Sequence, residues 1–90
     1  MLLKTDKNLL KAYLDTDPDC EQIGEGEYVA DIYDTEKPLT MNLKLTKDGF
    51  EVLAAAYLLY DDEEDGWYMG EQTEDTAAID AVLAAVISHD

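Results

Sequence analysis

The chain contains no arginine. Its basic residues are six lysines, at positions 4, 7, 11, 37, 44 and 47, and none follows position 47. Against them stand 22 carboxylates in 90 residues, for a formal net charge of −16. Nucleic acids and anionic membranes are gripped by surfaces rich in Lys and Arg, so this balance excludes a direct binder of either. Cysteine is almost missing as well. Cys20 alone cannot form an internal disulfide, which favours a reducing compartment. The longest apolar run, Val52 to Tyr60, is half the ~20 residues that a spanning helix requires. Met1-Leu2-Leu3-Lys4 is too short an apolar start for a signal peptide. The expectation is a soluble, cytoplasmic chain forming a single domain over residues 1–90, with an apolar content of 47% that is ordinary for a globular protein.

Catalytic groupings are also lacking. The sole histidine, His89, lies one residue from the end of the sequence, where termini fray. Cys20 sits in an acidic stretch with no basic residue beside it, a setting that raises a thiol's pKa and blunts it as a nucleophile. No phosphate-cradling glycine loop, CxxC pair, HExxH or Ser-His-Asp set is present. The chain reads as a non-enzyme, with no catalytic residue, cofactor or metal ligand assigned.

What is present is a pattern of elements. Thr5 or Asp6 can cap a first helix with Leu9, Leu10, Tyr13 and Leu14 on one face and Leu2 or Leu3 packed ahead of it. Asp17-Pro18 ends that helix, because the residue before a proline is pushed out of the helical region. Residues 15–27, poor in apolar side chains, read as a loop. Residues 27–33 are rich in strand formers, and 39–46 alternate without error, with Leu39, Met41, Leu43 and Leu45 inward. A short connection makes these an antiparallel hairpin. Asp48 and Glu51 resemble a capping box for a central buried helix over about 49–60, which is apolar nearly all round. Trp67-Tyr68-Met69 supplies a short third strand. From about Glu74 a last helix sets Ile79, Val82, Leu83, Val86 and Ile87 on one stripe. The expected fold is α+β: a small antiparallel sheet packed with about three helices, in the order α-β-β-α-(β)-α.

The charge is distributed unevenly. Residues 1–47 hold ten carboxylates and six lysines, whereas 48–90 hold twelve carboxylates and no lysine, giving −4 and −12. The densest stretch is Asp61-Asp62-Glu63-Glu64-Asp65, followed by Gly66 and Trp67-Tyr68. Counted as an EF-hand loop from Asp61, it places oxygens at positions 1, 3 and 5 and glycine at 6. Position 12 is Gln72 in place of the bidentate glutamate, and position 9 is Met69, so the calcium-binding alternative is weak. A solvated acidic surface rarely excludes lysine from 43 consecutive residues, and this run does.

DNA carries one charge per ~1.7 Å of axis, a density that carboxylates fixed on a small domain can approach. In size, charge and missing arginine the chain is similar to the small acidic proteins of phages and mobile elements that mimic DNA and block restriction or CRISPR effectors. The similarity is one of composition and carries no motif. It implies an inhibitor that occludes the basic nucleic-acid-binding surface of a partner protein or complex. The expected contacts are Asp61, Asp62, Glu63, Glu64, Asp65, Trp67, Tyr68, Glu71, Glu74 and Asp75, with contributions from Asp15, Asp17, Asp19 and Glu21. The alternative is a non-enzymatic adaptor or regulatory module, held to its partner by a hydrophobic contact around Trp67 and Tyr68 while the acid keeps it soluble.

Overall fold

The computed structural model describes residues 2–88. Helix α1 (Lys7–Thr16) is followed by five strands, β1 (Cys20–Gly24), β2 (Glu27–Ile32), β3 (Leu39–Thr46), β4 (Gly49–Asp61) and β5 (Gly66–Gln72), and by helix α2 (Thr76–Ser88). The strands form one antiparallel sheet in sequence order, so every strand pairs with its neighbour in the chain. The class is α+β, as expected, but the sheet has five strands and there are two helices among the described residues.

Helix α1 starts where Asp6 caps it, its carboxylate accepting from the N–H groups of Asn8 (2.8 Å) and Leu9 (3.1 Å). It stops at Asp17, which is extended ahead of Pro18 (φ −82°, ψ 128°). Leu10 and Leu14 are buried and Tyr13 packs beside them, whereas Leu9 points to solvent. Helix α2 buries Ile79 and Leu83, with Val82, Val86 and Ile87 against the core. Asp75 caps it by accepting from the Ala78 N–H at 3.1 Å. Both helices lie on the sheet face that carries Tyr28, Ala30 and Ile32 of β2, Leu39, Met41 and Leu43 of β3, and Phe50 and Ala55 of β4. Asp80 of α2 ties down the chain ahead of α1, accepting from the N–H groups of Lys4 and Thr5 and from the Thr5 hydroxyl at 2.9–3.1 Å.

The central helix expected over 49–60 is strand β4. Its start is a hairpin turn: Asp48-Gly49 follows one alternating strand, and Gly49 adopts φ 135°, a conformation that side chains rarely take. The Thr46 hydroxyl closes the turn by donating to the Gly49 carbonyl (2.8 Å) and accepting from the Asp48 N–H (3.2 Å). Asp48 and Glu51 therefore form no capping box.

The apolar run fails to alternate because of a bulge. Asn42 pairs with Ala54 and Leu43 with Val52, which leaves Leu53 as the extra residue. Before it Phe50 and Val52 face the helices; after it Ala55 and Tyr57 do. That switch of parity disturbs the period of two, and outward positions such as Leu53, Ala54 and Leu59 are themselves apolar, so the run reads as apolar all round. Three consecutive alanines favour a helix only weakly, and pairing on both edges overrides that preference.

Within residues 15–27, which read from the sequence as a loop, Cys20–Gly24 is β1, an edge strand pairing with β2 from Cys20↔Ala30 to Gly24↔Glu27. Only Cys20 is partly buried against the core and the next three side chains are exposed, so no hydrophobic pattern announces the strand. The hairpin of β2 and β3 runs in register from Glu27↔Lys44 to Ile32↔Leu39, as the alternation required.

Replacing Gly49 by alanine forces a Cβ into this positive-φ position, and Gly49→Ala should lower unfolding free energy by ~1–3 kcal/mol. At Gly66 no positive φ is required and the nearest atom to a new Cβ is 3.9 Å away. Gly66→Ala should leave the urea midpoint nearly unchanged, so equal losses from the two variants would contradict the turn assigned here.

Candidate functional site

Strand β4 is longer than the sheet beside it. Leu39 of β3 pairs with Tyr57, and the Leu58 N–H donates to the Pro38 carbonyl at 2.8 Å. Beyond that point β4 pairs only with β5: Leu58↔Met69, Leu59↔Tyr68, Tyr60↔Trp67 and Asp61↔Gly66. The result is a two-stranded arm extending from one end of the sheet, on a molecule measuring 43 × 25 × 25 Å. Asp62, Glu63, Glu64 and Asp65 form the turn at its tip, so the run that opens as a candidate cation loop is a hairpin end.

Local bonding fixes the tip. The Asp61 carboxylate accepts from the N–H of Glu63 at 2.9 Å and of Glu64 at 3.4 Å. Asp65 takes the left-handed conformation (φ 53°) that aspartate tolerates better than most residues. The Tyr60 hydroxyl donates to the Asp65 carboxylate, which raises the Tyr60 pKa by favouring its protonated form. An EF-hand needs helices on both sides of the loop, and strands flank this one. Among the described residues, no three His, Cys, Asp or Glu side chains converge as a metal site.

The shaft of the arm is apolar and open. Trp67 lies between Tyr33 and Tyr60, with ring centroids 5.2 Å from each, yet remains 46% exposed. Tyr68 is 51% and Met69 64% exposed. On the opposite side Leu59 covers Gly70, where a Cβ would meet the Leu59 Cδ1 at 2.9 Å and the Tyr57 carbonyl oxygen at 3.3 Å. Gly70 and Glu71 together oppose Tyr57, a bulge that marks where the arm leaves the sheet.

The register also locates the other expected contact residues. Asp17 and Asp19 precede Cys20, and the Asp31 N–H donates to the Asp19 carbonyl at 3.1 Å. They lie at the same end of the sheet as the arm, but on the opposite edge. Four inter-strand spacings of ~4.8 Å put them ~19 Å away across the sheet. Glu21 is in β1, opposite Val29. Asp15 is occupied internally: Lys11 donates to it at 2.7 Å and Tyr28 at 3.2 Å, and the lysine bond holds its carboxyl below the usual range. Glu71 stands beside Tyr57 at the base of the arm. Glu74 and Asp75 follow the far end of β5, ~25 Å of strand away from the tip, and Asp75 serves as the α2 cap.

The fourteen expected contacts thus divide into an arm group, a β1-edge group of Asp17, Asp19 and Glu21, Asp15 engaged by Lys11 and Tyr28 on α1, and Glu74 with Asp75 apart from these. Asp31 and Asp34 join that end of the sheet and were not singled out from the sequence. Three lysines sit at the other end: Lys7 donates to the Lys47 carbonyl at 2.9 Å, and Lys44 pairs across the sheet with Glu27 and Glu51. His89 lies outside the described residues. No helix among the described residues is long and apolar enough to cross a membrane.

Burial raises the Cys20 thiol to about 12, and Asp17, Asp19 and Asp31 add to the shift. At pH 8 iodoacetamide should alkylate Cys20 in the folded protein on the order of a thousandfold more slowly than in the urea-unfolded chain, following the thiolate fraction. A raised folded pKa also means that this contribution to stability is complete below the ordinary thiol value of 9.0 and is lost as pH rises towards 12. Equal alkylation rates in the two states would contradict the burial. No protein-family model, curated protein or solved structure matches this chain.

Proposed function

We propose that this protein is a non-enzymatic inhibitor that acts in the cytoplasm by occluding the basic nucleic-acid-binding surface of a partner, in the manner of a DNA mimic. The observation that carries this reading is the polarity of the molecule: the carboxylates of the arm tip, of Asp17 and Asp19 and of Asp31 and Asp34 gather at one end, where Lys37 is the one lysine of the β2–β3 connection, whereas Lys7, Lys44 and Lys47 lie at the other. The β4–β5 hairpin carries the densest group outward, where it can enter a groove that ordinarily holds phosphates. A restriction or CRISPR effector is the kind of partner such a groove implies.

Attraction between a negative end and a cationic groove acts at long range, so association is fast at low salt and slows as salt screens it. The exposed Trp67, Tyr68 and Met69 favour the adaptor reading on one point: an apolar anchor beside an acidic rim can carry affinity without charge. The two readings differ in what charge reversal does.

Substituting lysine at Asp62, Glu63 and Glu64 reverses the tip without touching the core, since all three side chains are exposed. The variant should keep the parent melting profile and lose at least ~100-fold in affinity for a basic nucleic-acid-binding partner, and duplex DNA should displace the parent protein from that partner. Unchanged binding by the variant would transfer the function to the adaptor reading. Failure of DNA to compete at any salt concentration would remove the mimic.

A further inference from the structure

We infer that the free edge of β5 receives an extended cationic segment of the partner as an added sixth strand. The inference rests on the proposed function for the positive charge of the partner alone; the mode of binding comes from the sheet.

Strand β5 is the last of the five, and β4 occupies one of its edges while no described strand pairs with the other. Exposed edges are normally blunted by lysine, by proline or by extreme shortness, because their unpaired N–H and C=O groups template further strands. Gly66–Gln72 has neither lysine nor proline, and its bulge, another means of blunting an edge, lies beyond Met69. Its regular part, Gly66 to Met69, stays in register with β4 up to the bulge at Gly70 and Glu71. A straight strand can therefore be added along it.

Side chains of an added strand would alternate between two faces. One face meets Trp67, set between Tyr33 and Tyr60, and the other meets Tyr68 and Leu59. Aromatic rings exposed in this way attract guanidinium and ammonium groups over their faces. Carboxylates close both ends of the track, Asp62 to Asp65 at the tip and Glu71 at the base; residues 48–88 contain no basic side chain, and Lys37, beside Leu59 and Glu71, is the one cation at the base among the described residues. A second copy of this chain would bring those carboxylates against one another, so self-pairing is the poorer occupant. Strand addition supplies affinity through main-chain hydrogen bonds and specificity through alternate side chains; an arginine- or lysine-bearing segment satisfies both requirements.

The test titrates the intact protein with a short peptide of alternating arginine and valine, and with the same peptide N-methylated at alternate backbone positions to remove its N–H donors. The readouts are the fluorescence of Trp67, the chain's single tryptophan, and amide hydrogen exchange along β5. The expected result is a saturable fluorescence change with slowed exchange at 66–69, and binding at least ~10-fold weaker for the methylated peptide. Equal binding of the two peptides, or protection confined to the tip, overturns strand addition while leaving charge-driven occlusion in place. No binding by either peptide also overturns it. The DNA competition and tip reversal judge the proposed function separately, so failure of one is distinguishable from failure of the other.

Discussion

Backbone hydrogen bonding along β4 is the constraint on which the rest of this structure depends. Its first nine residues pair with β3, Glu51 also bridges to Leu2 on the other edge, β5 joins from Ala56, and the last residues have only β5 for a partner. Extended backbone in water gains little from a lone hairpin. The arm therefore depends on what anchors its base: the Pro38–Leu58 bond, Leu59 over Gly70, and the rings of Tyr33, Trp67 and Tyr60. From that one overhang follow the exposed aromatics, the open edge and the position of the acidic tip.

The core is small and continuous. Phe50, Leu10, Leu14, Ile32, Met41, Leu43, Ile79 and Leu83 are almost wholly removed from water, and the two helices cover one face of the sheet. No charged side chain is buried among the described residues. The high negative charge is thus carried entirely at the surface, where it costs the core nothing by desolvation. What it does is set a direction. Cross-strand pairing places Lys44 with Glu27 and Glu51 at one end, while the other end has many carboxylates and few lysines to answer them. A field of that shape orients the molecule towards a cation before contact.

Much of the fold was legible because local chemistry and tertiary demand agree there. Asp6 caps α1 and Pro18 ends it; the strict alternation of β3 puts Leu39, Met41 and Leu43 in the core; the stripe of α2 does the same for Ile79 and Leu83. Strand β4 resembles a helix in sequence because both of its faces are apolar and Leu53 inserts into the pairing and inverts the parity on either side of it, which only the partner strand reveals. The Asp48-Gly49 pair is the signal that distinguishes the two, since that dipeptide after an alternating strand marks a hairpin. Strand β1 left almost no trace, because an edge strand with exposed side chains needs only the backbone of β2.

The order of residues by itself determined the sign and excess of the charge, the absence of lysine and arginine after Lys47, and the company of Trp67 and Tyr68 with five consecutive carboxylates. These are properties of the covalent chain and survive any folding. Which carboxylates share an end of the molecule was decided by strand register alone. Antiparallel pairing brings Asp19 and Asp31 together and sends Asp75 to cap a helix, although in sequence Asp75 is the nearer to the acidic run. Sequence distance carries no information about that outcome, because each reversal of a strand exchanges near for far.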